Sequence, residues 1–249
     1  MTTKFLALGA VFIAAAALAP AQKKVPKKEY DAYMAVMNAT APDATIEAAD
    51  KFVENFADST LKSQVLLLAA DAAERKNDIP KALTYAQTAL DSDPKNYEAM
   101  LLISGELART TREHDLDKEE KLTKADKLAH DAIDAVTAAP KPNPTTPDDK
   151  WEQHKKNKVA EAHVDLGMIA NDRKKPDVAI TEFKMAVDGS STVDPTTLIR
   201  LAGAYDDAGK PDDAIAALDR VLAMPNVPAN IKPFAQREKD RAMAIKNKK

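Results

Sequence analysis

Three stretches of the chain repeat one set of intervals among small and apolar residues: three, then nine, then four, then three. The first runs through Ala70, Ala73, Ala82, Ala86 and Ala89. The second takes Gly167, Ala170, Ala179, Phe183 and Ala186, and the third Ala202, Tyr205, Ala214, Leu218 and Val221. Intervals of three and four return a residue to the same side of an α-helix, and the interval of nine steps across a turn. Small residues at the point where two antiparallel helices cross let the backbones approach, and a larger neighbour fills the space beside them. The turns Lys76-Asn77-Asp78-Ile79-Pro80, Arg173-Lys174-Lys175-Pro176-Asp177 and Ala208-Gly209-Lys210-Pro211-Asp212 are polar, with Pro where a new helix accepts it. The spacing predicts helical hairpins stacked so that each buries its apolar face against the next.

The stretches LAGAYDDAGKPDDAIAALDRVLAMP (201–225) and LLAADAAERKNDIPKALTYAQTALDSDP (67–94) carry the pattern most completely. They resemble the tetratricopeptide repeat, whose period is about 34 residues, close to the 35 between Ala179 and Ala214. A diverged unit starts at Tyr97, with Ile103 and Ser104 at its crossing and Ala125, Ala129 and Ala132 on its second helix. Surplus residues fall in 111–122 (TREHDLDKEEKL) and in the Pro-rich stretch 139–147 (APKPNPTTP). Upstream, Tyr30, Tyr33, Met34 and Met37 make one amphipathic stripe and Ile46, Ala49, Phe52, Val53 and Phe56 another. The junction FVENFADSTLKSQVLLLAADA resembles exported bacterial envelope proteins of this repeat type, the outer-membrane-assembly and Tol-Pal-associated kind. Downstream, Ile231, Phe234, Glu238, Ala242 and Ile245 recur at helical spacing, as a capping helix requires. The expected fold is an all-α, right-handed solenoid of about five hairpins plus a C-terminal capping helix.

At the N-terminus, Met1-Thr2-Thr3-Lys4 precedes the uncharged run FLALGAVFIAAAAL and the small-residue site Ala19-Pro20-Ala21. That order predicts a secretory signal peptide over 1–21, cleaved to leave Gln22 first. The apolar run is shorter than the roughly twenty residues that span a bilayer, so no stable membrane insertion is expected after cleavage. The chain has no Cys, which excludes a lipidated cysteine, disulfides, thiolate metal sites and a cysteine nucleophile. The expected location is the periplasm or the secreted fraction, not as a lipoprotein. The domain reading is signal peptide 1–21, N-terminal hairpins 22–139, spacer 140–150, C-terminal hairpins 151–225, and capping helix with basic tail 226–249. A formal charge of −3 provides no footprint for nucleic acid.

No catalytic template fits. His114, His130, His154 and His163 form no zinc-binding pair and are expected on solvated helix surfaces. Asp115, Asp117 and Glu119 lack the glycine turn and distal glutamate of a calcium loop. There is no nucleophile elbow and no phosphate-cradling glycine loop, so a non-enzymatic chain with no cofactor or metal is expected. Trp151 is expected to pack against a neighbouring unit. The tail from Arg237 onward is read as a solvated basic end, with anionic lipid or an acidic partner as the alternative.

The resemblance implies that the first helix of each hairpin lines a concave groove that binds a partner segment. Counting back from the crossings puts Gln64, Leu67, Leu68 and Asp71 there, then Glu98, Leu101, Leu102, Gly105 and Arg109, then Asp165 and Met168, then Arg200, Gly203 and Asp206. The four leucines could equally be buried by the N-terminal hairpin. The expected groove has an apolar floor and a mostly acidic rim, suited to a protein or peptide that is apolar and carries Lys or Arg. The clamp of basic residues with which chaperone-binding relatives hold a carboxylate is nearly absent, only Arg109 and Arg200 being basic. The expected function is an exported interaction scaffold; the alternative is a self-associating structural component of the envelope, a homo-oligomer.

Overall fold

The computed structural model describes residues 25–247, and within them eleven α-helices and no strand. In chain order they are α1 (Lys27–Asn38), α2 (Pro42–Asn55), α3 (Lys62–Arg75), α4 (Ile79–Ser92), α5 (Tyr97–Thr110) and α6 (Lys118–Ala138). Then follow α7 (Asp148–Asp172), α8 (Pro176–Gly189), α9 (Pro195–Asp207), α10 (Pro211–Ala223) and α11 (Ile231–Lys246). Each odd helix pairs with the next even one, each even helix packs on the following odd one, and α11 closes the stack against α10. The reading of 1–21 as a signal peptide lies outside the described residues; among them no helix is long and apolar enough to cross a membrane.

Three hairpins are joined by the same turn. Asn77, Lys174 and Gly209 stand at equivalent positions with φ of 60°, 57° and 70°. The residue after each sends its N–H five residues back, Asp78 to Ala73, Lys175 to Ala170 and Lys210 to Tyr205, at 2.9, 2.9 and 2.8 Å. This double-backed helix end satisfies carbonyls that would otherwise face nothing, and it needs a left-handed residue. The next helix starts at once, with Pro80, Pro176 and Pro211 in first-turn positions where no N–H is missed. Asp78, Asn96 and Asp194 cap α4, α5 and α9 by accepting from Lys81, Ala99 and Thr197 backbone N–H groups at 3.2, 3.0 and 3.0 Å.

The repeated small residues lie at the crossings, as expected: Ala70, Ala73, Ala82, Ala86 and Ala89 are fully buried, as are Ala125, Ala129, Ala132, Ala179 and Ala214. In the diverged unit Ser104 Oγ donates to the Ala125 carbonyl at 3.0 Å, so its hydroxyl is satisfied across the crossing. The surplus residues are only partly loop. Residues 111–117 are irregular, but from Lys118 onward the rest of that stretch extends α6 to 21 residues. The spacer likewise gives way to α7 at Asp148, inside the expected 140–150, and α7 runs for 25 residues.

Two terminal stripes hold in part: Tyr33, Met34 and Met37 pack in the first cluster, and Ile231 and Ala242 in the last. Tyr30 is 51% exposed, so the α1 stripe reaches the core through Tyr33 and Val36, which pack with Phe52, Val65 and Ala69. In α11 the buried residues are Ala235 and Ala242, and Phe234 stands out with Arg237 over its ring. The basic tail is not simply solvated: Lys239 pairs with Asp219 at 2.6 Å, Lys246 with Asp212 at 2.6 Å, and Arg241 with Asp206 at 3.4 Å. Each such pair contributes little beside the burial of Ala235 and Ala242 against the preceding helices.

Candidate functional site: the first-helix face

The crossing residues of α3, α5, α7 and α9 point at their hairpin partners, so the opposite sides of these helices form a separate face. Equivalent positions run across it in rows: Gln64, Glu98, Glu161, Thr196; Leu68, Leu102, Asp165, Arg200; and Asp71, Gly105, Met168, Gly203. Asp71, Glu98 and Arg109 are exposed, and Gln64, Leu67, Leu68, Leu102, Met168, Arg200 and Asp206 are partly so. Leu101 is 2% exposed and belongs to the core. Leu68 packs against the cluster that joins the first hairpin to α3 and stays partly exposed.

Asp165 departs most from expectation. It is no rim acid: it is 5% exposed in the middle of α7, and its Oδ2 has no hydrogen-bond partner. Burial pushes this carboxyl well above the ordinary carboxylate range, Glu161 and Glu106 add like charge, and Ser104 and Arg200 work the other way. Its floor-side neighbour is Gly105, where a Cβ would sit 3.1 Å from Asp165 Oδ1. The charges around it are paired off. Glu106, buried in a position that is apolar in the other units, holds Arg109; Lys158 holds Glu161 at 2.9 Å. Burial pulls the Arg200 guanidinium below its usual range, opposed by Asp194 and Asp165, with Arg109 adding to the pull. Asp206 repeats the theme at the end of α9: its Oδ1 is buried without a partner, and burial raises it against the effect of Arg241.

At the other end of the face the added first turns of α7 reach α5. Trp151 is 5% exposed and stacks on His154 at 5.1 Å between centroids; Tyr97 Oη and His154 Nε2 are 3.2 Å apart. Trp151 is thus buried on His154 of its own helix, and it is His154 that meets the neighbouring unit at Tyr97. Burial, helped by Lys158, holds His154 below the ordinary imidazole range, which suits a neutral ring accepting from the phenol. Gln64 and Leu67 face this group across a recess of about 250 Å³ that Pro142 of the spacer also lines. The histidines therefore split: His114 and His130 are solvated, whereas His154 is packed and His163 is tied to Glu182 at 2.7 Å across the α7–α8 hairpin. Among the described residues no group of three or more His, Asp or Glu is placed to hold a metal ion.

The family model of the tetratricopeptide repeat matches residues 67–116, which takes in most of α3, all of α4 and α5, and most of the loop that follows. Among solved structures the chain is similar to a thermophilic tetratricopeptide-repeat protein from Thermus thermophilus, at 16% identity and a TM-score of 0.59, covering 84% of this chain and 98% of that one. It is also similar to BtubC from P. vanneervenii, at 15% identity and a TM-score of 0.53, covering 83% and 96%. At such identities the likeness is one of fold: an α-solenoid of helical hairpins. No curated protein matches the sequence.

Proposed function

We propose that the protein is a non-enzymatic, exported interaction scaffold whose first-helix face takes up a segment of another protein, apolar and carrying Lys or Arg. The observation that carries this reading is the third row of that face. Gly105 and Gly203 flank Met168, and a Cβ added at Gly203 would meet nothing within 4 Å. The open space at Gly203, together with the half-buried Leu102 and Met168 of the same face, offers apolar area at about 25 cal/mol per Å² before ordering costs, and the acids around it select the sign of the partner. The likeness to tetratricopeptide-repeat structures supports the same choice of face.

Placing a photo-crosslinking phenylalanine analogue at Gly203 should trap a discrete partner in cells, and the same analogue at the exposed Met185 of α8 should not. Once a partner is trapped, Gly203→Trp should keep the helical circular dichroism and weaken binding roughly tenfold or more, since the indole fills that open space. A partner trapped equally from Met185, or bound equally by Gly203→Trp, would move the interface elsewhere. Export is checked by intact mass of the protein recovered from cells: a chain beginning at Gln22 is expected, and retention of 1–21 would reject the signal-peptide reading.

A further inference from the structure

We infer that the face holds a seat for one basic side chain of the bound segment: a lysine ammonium or arginine guanidinium enters beside Gly105 and takes the unpartnered oxygen of Asp165. The inference rests on the groove reading above and names what that groove recognises. A carboxylate oxygen buried without a donor is an acceptor awaiting one. Asp165 Oδ2 is such an oxygen, on a residue 5% exposed. The nearby internal cations do not supply the donor. Lys158 is engaged with Glu161 at 2.9 Å and Arg109 with Glu106, while Arg200, one helix on, acts on Asp165 through space and leaves Oδ2 bare.

Access comes from the glycine. Gly105 stands where Asp71 and Met168 stand in the flanking units, and a Cβ there would already press on Asp165 Oδ1 at 3.1 Å. The carboxyl lies directly against Gly105 with its Oδ2 closed to solvent, so the incoming head opens the notch by parting that contact, and with hydrogen in that place α5 sets no side chain in the way. Leu102 and Met168, both partly buried beside it, would take the methylene stem, and the head would reach the carboxylate; long basic side chains are built for such a divided site. The charges facing the notch are Glu106 from α5, Glu161 and Lys158 from α7 and Arg200 from α9. An anionic head would meet Asp165, Glu161 and Glu106 together, whereas a cation allows Asp165 to ionise and gains from all three.

The probe is a random peptide library displayed on phage and selected at neutral pH on the immobilised full chain. Selected peptides are expected to share Lys or Arg at one position. Replacing it by norleucine should weaken binding roughly tenfold or more to the parent, and several-fold less to Asp165→Asn. Gly105→Ala, which crowds the notch without removing the acid, should blunt the same preference, and it serves if Asp165→Asn does not fold. Peptides lost on Gly203→Trp but without a basic position, or bound as tightly by Asp165→Asn and Gly105→Ala with their preference intact, would overturn the seat while leaving the groove standing. Peptides bound equally by parent and Gly203→Trp would overturn the groove and the seat with it.

Discussion

Phe183→Ala should lower the unfolding free energy by about 3–5 kcal/mol, the range for emptying a fully buried phenyl site. The ring is completely buried at the α7–α8 crossing and lies on Gly167, where a Cβ would come to 2.5 Å from its Cε1. Gly167→Ala is expected to destabilise as well. Alanine gains up to about 1 kcal/mol over glycine inside a helix, but a methyl group forced onto the ring costs about 1–3 kcal/mol and wins. The two sites compete for one space, so they should not behave independently. Gly167→Ala combined with Phe183→Leu should be less unstable than the sum of the two single changes, by more than about 0.5 kcal/mol in urea denaturation. Strict additivity would mean that glycine is not there to admit the ring.

The second large effect is on pH dependence. Asp165 is raised by burial, by Glu161 and by Glu106, so the folded chain keeps its proton where the unfolded chain, with an ordinary value of 3.8, has lost it. The unfolded state then binds fewer protons, and stability falls as pH rises. This contribution is whole below the unfolded value and is lost as pH climbs through the folded one. Asp172 and Asp206, also raised by burial, slope the same way, and Glu113, Asp115 and Asp148, held down by hydrogen bonds from lysines and from the Arg112 backbone, slope the other way, so it is comparison with Asp165→Asn that isolates the one group. The variant should lack this fall as pH rises from about 4 to neutral and be more stable than the parent at neutral pH, by about 1 kcal/mol or more, because it never has to ionise a buried group. Urea midpoints across that range check it; identical slopes for the two proteins would mean that Asp165 is solvated in solution. A residue whose removal stabilises the fold yet removes a basic-side-chain preference would be kept for binding, against the stability of its own chain.

Much of the fold was legible because it is written in short intervals. Ala70 to Ala89, Gly167 to Ala186 and Ala202 to Val221 encode the hairpin crossings through local sterics: only small residues allow two backbones so close, and helical periodicity fixes where they must recur. The turns at Asn77, Lys174 and Gly209 are equally local, although Lys174 shows that the backbone conformation there does not depend on glycine. The face that carries Gly105, Met168 and Gly203 was reached by counting from those crossings.

What the sequence determined alone, then, was the unit: which residues make a hairpin, which side of each first helix faces its partner, and so which side is left over. Tertiary structure decided what that leftover side became. Nothing within α7 says that Asp165 is dry; burial is imposed by α5, whose Gly105 lies 60 positions back beyond two stretches of surplus length. Those stretches hid the register of α5 on α7, and with it the meeting of Tyr97 with His154 and the burial of Glu106. The same holds for the basic tail, whose Lys239 and Lys246 find Asp219 and Asp212 only once α11 lies on α10. A helical pattern reports direction around one axis. Desolvation and charge pairing depend on the distance between axes, and that is set only when the helices pack.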